Sequence, residues 1–337
     1  MRCEMANRSK KLRGKYIGID IGNDSVKIVS TPRDISNPLF RTIKTPEGAV
    51  EDGYIKNGNA LREAMATCFK GKSRFGSSNV VFSILSSAVI IRDIEVPVVP
   101  PKELPPLVNN IADEYIPTSL DEYIIDFKQM EVTGEGREKM QKILLFAAPL
   151  PLIDGYLKLA DSLNLRLSAI DVYQNCIIKA AEYMRNFNYK DYLILDVGGK
   201  KTVASFFYSG HFVFSRIFDF GGNNITQLIS NFHNISLDEA EDLKINHPSE
   251  EIGIDSSLMF EGFVGDLARY LDYYISRYRT DGIENVVITG GGSRFAPLLE
   301  YISESLNVEV MPINNFLPDP YVFILNAFGA SIREGKV

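Results

Sequence analysis

The chain has 337 residues, 45% apolar and 23% charged, the make-up of an ordinary folded protein with room for two lobes that each bury a core. Its formal net charge of -7, with no compensating basic block, argues against general nucleic-acid binding. Cys3, Cys68 and Cys176 lack redox or metal spacing, His211, His233 and His247 do not cluster, and no apolar run is long enough for a membrane span.

Residues 1–15 form a basic tail carrying Arg8, Lys10, Lys11, Arg13 and Lys15, read as a solvated lead-in or a membrane-surface contact. The tail lacks the apolar stretch of a signal peptide, so a cytosolic protein is expected. Next, Tyr16-Ile-Gly-Ile-Asp20-Ile-Gly22-Asn23-Asp24-Ser25-Val-Lys27 reads as strand, tight turn, strand. Glycine lets the turn bend until backbone N–H groups point at an anion, and the serine hydroxyl adds a donor. The aspartate at the strand's end is suited to the hydrated magnesium that accompanies nucleotide phosphates.

Val26 to Ser30 and Phe40 to Lys44 read as the second and third strands. Leu61, Ala64, Met65, Cys68 and Phe69 fall on one helical face, and Asn79 to Leu85 reads as a buried fourth strand. Residues 88–168 then interrupt the pattern. Ala88 to Val96 reads as a strand. A helix carries Leu104, Leu107, Val108, Ile111 and Tyr115, with Pro105 and Pro106 tolerable only in its first turn. Tyr123 to Met130 and Lys142 to Ala148 form a hairpin around a polar loop at 132–138. Ile153, Tyr156, Leu157, Ala160 and Leu163 give an amphipathic helix. This inserted α+β subdomain is either decoration of a core fold or a partner-binding module.

A helix beginning near Ala169 links the halves. Asp171 within it is readable as an N-cap or as a catalytic carboxylate, and Gln174 is the other weak catalytic candidate. The first pattern then recurs: Tyr192-Leu-Ile-Leu-Asp196-Val-Gly198-Gly199-Lys200-Lys201-Thr202 repeats strand, aspartate, glycine and hydroxyl residue. Further strands begin near Val203 and Phe212, a helix carries Ile225, Leu228, Ile229 and Phe232, and Asn285 to Thr289 is a buried strand. Strand-strand-strand-helix-strand, twice, implies a duplicated α/β unit around a cleft, where two facing turns would clamp a triphosphate.

Two more elements fit that cleft. Ser236 and Glu239 form a capping box, placing Glu241 and Lys244 on one face of a helix, as a surface ion pair or as contacts to ribose and base. Gly290, Gly291 and Gly292, followed by Ser293 and Arg294, come after the buried strand, with a helix starting around Phe295 to Pro297. This is a common strand-to-helix turn or a platform for a flat base. P-loop, dinucleotide-fold and protein-kinase signatures are absent from the sequence.

With these elements in this order the chain resembles the actin-like ATPase superfamily of actin, hexokinase, MreB and FtsA. Asp20 to Lys27 and Asp196 to Thr202 match its phosphate motifs, Thr289 to Arg294 its adenosine motif, and Glu241 with Lys244 its ribose-contacting pair. Within it the chain is most similar to the PilM family of type IV pilus assembly, related to FtsA. That likeness rests on Arg92-Asp-Ile-Glu-Val-Pro97, Tyr115-Ile-Pro117, Asp121 to Phe127 and Ala240 to Lys244. FtsA relatives end in an amphipathic targeting helix, whereas Arg333 to Val337 here directly follow a buried-looking helix at 322–332, which favours the PilM family.

The resemblance implies a duplicated ribonuclease-H-like fold. The first lobe would comprise 16–87, 169–190 and the C-terminal helix 320–335, the inserted subdomain 88–168, and the second lobe 191–319. It implies ATP with magnesium held through water near Asp20 and Asp196, and a PilN-like inner-membrane partner bound by its cytoplasmic N-terminal peptide beside the insertion. Other pilus platform proteins and self-association are further expectations, as is peripheral recruitment to the inner face of the bacterial cytoplasmic membrane. Relatives place a water-positioning Gln or Glu at the start of the linking helix. The aligned position here is Tyr173, so slow or negligible hydrolysis is expected, with nucleotide acting as a conformational ligand. The alternatives are an FtsA-like filament protein and a small-molecule kinase.

Overall fold

A computed structural model describes residues 16–30, 34–69, 75, 79–116, 119–134, 139–184, 187–247 and 252–333. The basic tail and Cys3 lie outside them. β1 (Tyr16–Ile21) and β2 (Ser25–Ser30) pair antiparallel with Ile21 opposite Val26, so a four-residue turn joins them. β3 (Leu39–Lys44) continues the meander. A short hairpin, β4 (Val50–Glu51) and β5 (Tyr54–Ile55), leads into α1 (Gly58–Phe69). Leu61, Met65 and Cys68 form the buried face of α1, as their spacing requires. β6 (Asn79–Ile84) then pairs parallel with β1, placing Asp20 beside Ser83.

Side chains alternate across β1. Ile17, Ile19 and Ile21 enter one core with Leu61 and Met65. Gly18 faces the opposite way.

The insertion consists of β7 (Ile90–Pro97), α2 (Leu104–Ala112), β8 (Tyr123–Thr133) and β9 (Met140–Pro149), with β9 central in a three-stranded sheet. Ile143, Leu145 and Ala147 of β9 pack with Leu104, Val108 and Ala112 of α2. Leu144 and Phe146 on the other face join a core shared with the second lobe. The hairpin strands run further than expected, through Val132 and Thr133, which shortens the loop; residues 135–138 of that loop lie outside the described residues.

Two expectations for the next segment need correction. α3 (Leu150–Ser162) was expected inside the insertion, but its buried Leu152, Tyr156, Leu159 and Ala160 pack into the first-lobe core with Ile17 and Leu61. The insertion's own core is therefore the three-stranded sheet and α2. Asp171 is not a helix N-cap: it lies in β10 (Leu167–Val172), which pairs parallel with β6 and completes the first sheet. The strand continues through Val172, and α4 (Tyr173–Ala181) starts only after it.

The second half repeats the first. β11 (Tyr192–Val197) and β12 (Thr202–Tyr208) pair with Val197 opposite Thr202, again joined by a four-residue turn. β13 (His211–Phe218), α5 (Gly222–His233) and α6 (Leu237–Asn246) follow. On α5, Ile225 and Ile229 are buried as expected, while Phe232 at the helix end is exposed. The Ser236–Glu239 capping box forms at the start of α6. α7 (Ser256–Tyr278) was not anticipated, although Phe260, Phe263, Val264, Leu267, Leu271 and Tyr274 give it a buried helical stripe. β14 (Asn285–Thr289), α8 (Ala296–Leu306) and β15 (Glu309–Pro312) complete the lobe. The sheet orders β3-β2-β1-β6-β10 and β13-β12-β11-β14-β15 are the same arrangement twice, and Asp196 beside Thr289 repeats Asp20 beside Ser83.

The last helix, α9 (Tyr321–Ser331), joins the copies. It lies directly on β1, where a Cβ at Gly18 would overlap the Ala327 carbonyl. Its hydrophobic side chains enter a core with Tyr173 and Ile177 of α4 and with Tyr192 and Ile194 of β11. The Ser83 hydroxyl of the first lobe bonds the Asn326 carboxamide at 2.9 Å, and the Thr289 hydroxyl of the second donates to the Val322 carbonyl at 3.0 Å. Equivalent positions of the two sheets thus grip one helix. Among the described residues, no helix is long and apolar enough to cross a membrane.

Candidate functional site

The two turns face each other across a cleft of about 740 Å³. Each is closed in the same way: the Gly22 N–H donates to the Ser25 carbonyl at 3.0 Å, and the Gly198 N–H to the Lys201 carbonyl at 2.9 Å. Each is also pinned from behind. The Thr45 hydroxyl donates to the Gly22 carbonyl at 2.7 Å, while the Gly222 and Asn223 N–H groups, at the start of α5, donate to the Gly198 and Gly199 carbonyls. The turns are therefore rigid before any ligand arrives, which lowers the ordering cost of binding.

Asp20 and Asp196 stand at the carboxyl ends of the central strands of their sheets. Asp20 accepts from the Asn326 amide at 3.0 Å and pairs with the Lys27 ammonium at 3.4 Å. Asp196 accepts from the Tyr173 hydroxyl at 2.8 Å. Burial pushes the Asp196 carboxyl above its ordinary value; the Tyr173 hydrogen bond and Lys27 oppose that shift, and the charge of Asp20 adds to it. Tyr173 is itself held far from ionisation by burial and by Asp196, so its phenol serves as a donor.

Most expected site residues line this cleft: Asp20, Gly22, Asn23, Asp24, Ser25, Lys27, Asp196, Gly198, Gly199, Lys200, Glu241, Lys244, Gly290, Gly291, Gly292 and Arg294. Several of their side chains already have protein partners. Asn23 donates to the Val50 carbonyl at 3.2 Å, and Asp24 accepts across the cleft from the Asn223 amide at 3.0 Å. Lys244 donates to Glu241 at 2.6 Å, to the Thr226 hydroxyl at 2.8 Å and to the Gly222 carbonyl at 3.2 Å, so the pair also fastens α6 to α5. At the triple glycine, Gly290 adopts φ +84°, and a Cβ there would overlap Asp196 and the Val197 carbonyl; at Gly291 a Cβ would meet nothing. Arg294 forms a forked pair with Asp319 at 3.1 Å, and its guanidinium lies 4.5 Å from the centre of the Phe323 ring.

Four expected residues lie elsewhere. Thr202 is fully buried, and its hydroxyl donates to the Phe220 carbonyl at 2.8 Å. Ser293 is buried and closes its own turn on the Gly290 carbonyl at 2.6 Å. Gln174 is buried and donates to the Ser215 hydroxyl at 3.1 Å. Asp171 binds the Lys179 ammonium at 2.8 Å and the Asn175 amide at 2.9 Å, away from the cleft. Tyr173, the position aligned with the water-positioning residue of relatives, does enter the cleft, and the structure adds Asn326, Phe323 and an ion pair between Lys201 and Asp52 at 2.5 Å. The partners of Tyr173 and Lys201 are 23 and 149 residues away in sequence, so no local pattern marks these two contacts.

The donor set fits a magnesium nucleotide. Two carboxylates face inward from opposite lobes, backbone turns and lysines surround them, and the open backbone at Gly291 leaves room for a ring. Among the described residues no three His, Cys, Asp or Glu side chains converge as a metal cage.

A family profile described as type IV pilus assembly protein PilM matches residues 18–318. Among solved structures the chain is similar to a PilM–PilN type IV pilus biogenesis complex, with TM-score 0.78 and 21% identity, covering 94% of this chain and 98% of that one. It is also similar to the ethanolamine utilization protein EutJ from Carboxydothermus hydrogenoformans, with TM-score 0.57 and 14% identity over 95% and 90% of the two chains. A third similarity is to MreB 5 of Spiroplasma citri bound to AMPPNP, with TM-score 0.52 and 14% identity over 93% and 94%. At these identities the structural likeness establishes the actin-like ATPase fold, which the repeated sheets and the shared helix already describe. The profile match spans both lobes and the insertion: the chain belongs to the PilM family of type IV pilus assembly proteins.

Proposed function

We propose that the protein binds ATP with magnesium between its two turns and uses the nucleotide as a conformational ligand while its insertion engages a pilus partner. The observation that carries the nucleotide reading is the pair of pinned turns, identical in length and closure, with Asp20 and Asp196 at their roots. In this reading Asp20 and Asp196 hold the metal's waters, the turns receive the phosphates, and Glu241, Lys244, Gly290 to Gly292 and Arg294 border the nucleoside. Magnesium, when bound, supplies the positive charge that two inward carboxylates and a polyphosphate together require.

Hydrolysis is expected to be slow or negligible. Gln174 and Asp171 lie away from the cleft, and the residue that enters it from α4 is Tyr173, whose hydroxyl already donates to Asp196. A neutral phenol held far from ionisation is a poor base for water. A nucleotide that is bound and not consumed acts by favouring one arrangement of the lobes.

The partner reading is that a PilN-like protein inserts its cytoplasmic N-terminal peptide beside the insertion, bringing this protein to the inner face of the membrane. Support comes from family membership and from the likeness to a PilM–PilN complex over nearly the whole chain. Calorimetric titration with ATP, with and without magnesium, tests the cleft. Binding that requires magnesium and is lost in Asp20→Ala and Asp196→Ala, both still folded, is the expected result; unaltered affinity in both variants overturns the site. Single-turnover hydrolysis at about 1 per second or faster would overturn the non-catalytic reading. Failure of an immobilised PilN N-terminal peptide to retain the protein would overturn the partner.

A further inference from the structure

Asp52 sits at the tip of the β4–β5 hairpin with φ +45°, followed by Gly53 with φ +79°. Such a two-residue turn favours Asn-Gly and Asp-Gly alike, so turn geometry alone does not call for a charge. The charge has another use. Its carboxylate pairs with the Lys201 ammonium at 2.5 Å, from the turn of the opposite lobe, and Asp219 lies 3.8 Å from the same ammonium. The same carboxylate accepts from the Ser86 hydroxyl at 3.2 Å, the Ser87 N–H at 3.1 Å and the Ser87 hydroxyl at 2.6 Å.

Ser86 and Ser87 connect β6 to β7, the first strand of the insertion. Gly53, next to Asp52, touches the other root: its carbonyl accepts at 2.9 Å from the hydroxyl of Tyr156, on the helix that follows β9. A Cβ at Gly53 would overlap the Leu85 carbonyl, so the hairpin tip is pressed against the segment leading into the insertion. One small turn therefore holds both roots of the inserted subdomain and reaches into the second lobe. Lys201 and Lys200 also line a cavity of about 650 Å³ beside the cleft, where a bound anion would compete with Asp52 for the same ammonium.

We propose that Asp52 is the coupling residue through which occupancy of the second-lobe turn is transmitted to the inserted subdomain. This rests on the reading that the cleft takes a nucleoside triphosphate. Phosphate oxygens arriving near Gly198 to Lys201 change the hold of Lys201 on Asp52. Asp52 then changes its hold on Ser86 and Ser87, and the insertion re-seats on its roots. By linkage, a partner bound to the insertion changes ATP affinity by the same factor.

The test is hydrogen exchange on the full chain with and without magnesium ATP, alongside calorimetry, for the wild type, Asp52→Asn, Lys201→Gln and Lys201→Arg. Asparagine preserves the turn and can still accept from Ser87, so Asp52→Asn removes the ion pair without dismantling the hairpin. The expected result is that ATP changes exchange in β7 and α2 of the wild type by about fivefold or more, the lower end of ordinary coupling. With each protein saturated in magnesium ATP, Asp52→Asn loses that response, as does Lys201→Gln. Lys201→Arg keeps it. Wild-type protein that binds ATP with no change in the insertion overturns the coupling alone, as does an Asp52→Asn response equal to wild type. A greater than tenfold loss of ATP affinity in Asp52→Asn makes Asp52 a binding residue and also overturns it. Absence of ATP binding by the wild type overturns the nucleotide reading, and the inference with it.

Discussion

The Tyr173 hydroxyl, at the first residue of the helix between the lobes, donates to the Asp196 carboxylate at the end of the central strand of the second sheet, 2.8 Å away. The linking helix is thereby tied to the carboxylate that the proposed site needs ionised. The tie has a thermodynamic consequence. Burial raises the Asp196 carboxyl above its unfolded value despite Tyr173 and Lys27. A group raised in the folded state contributes stability that is fully present below its unfolded pKa and is lost as pH rises through its folded one. At neutral pH the ionised Asp196 therefore weakens the fold.

Asp196→Asn, which mimics the protonated form and can still accept from Tyr173, should stabilise the protein at pH 7 by about 0.5–2 kcal/mol, the usual gain when a functional strain is removed. The gain should shrink as pH falls through the raised folded value and be gone below the ordinary aspartate value of about 3.9, where the wild-type carboxyl is protonated in both states. The same variant should lose magnesium ATP binding. Urea unfolding at the two pH values and one titration check this; an Asn variant less stable than wild type at pH 7 would sink the argument.

The triple glycine separates two roles that adjacent positions play. Gly291→Phe projects into open space, since a Cβ there meets no neighbour, so the fold should keep its unfolding midpoint while ATP affinity falls at least about tenfold, or 1.4 kcal/mol. Gly290→Ala meets Asp196 and Val197 from a left-handed backbone and should cost about 1–3 kcal/mol of stability. Denaturation curves and titrations on the pair decide it: equal stability losses, or unchanged ATP affinity in Gly291→Phe, would contradict the assignment.

How much of this was legible in the chain depended on how local each signal was. The strand-aspartate-glycine turns at Asp20 and Asp196 are local, and their repetition revealed the doubled lobe and its cleft. The Ser236–Glu239 box placed α6 for the same reason. Thr202 was misassigned because a hydroxyl at a strand start looks the same whether it faces a ligand or, as here, the Phe220 carbonyl. Asp171 looked like a cap because a carboxylate before a helix usually is one, and nothing local showed that β10 runs on to Val172. Tyr173, Asn326 and the Asp52–Lys201 pair are long-range contacts that only the folded chain assembles. α7 is a different case: its apolar stripe from Phe260 to Tyr274 is a local signal, legible by its helical periodicity.

Asp171 offers the sharpest separation of stability from function. Its side chain is 9% exposed and accepts from Lys179 at 2.8 Å, and that ammonium is 11% exposed and also donates to the Ile332 carbonyl at 3.0 Å. Arg333 approaches the same carboxylate at 3.9 Å. Through this pair β10, α4 and the end of α9 share one buried charge system, none of it in the cleft. Breaking a buried pair by removing one partner leaves the other charge uncompensated and costs about 3–5 kcal/mol. Asp171→Ala should therefore lower stability by that order while leaving the ATP dissociation constant of the folded protein within about twofold of wild type, roughly 0.4 kcal/mol. Lys179→Met in the same background should recover part of the loss, because the stranded ammonium is gone. Urea unfolding of the single and double variants, with ATP titrations at low denaturant, reads both quantities. A large loss of ATP affinity at unchanged stability would return Asp171 to the functional site.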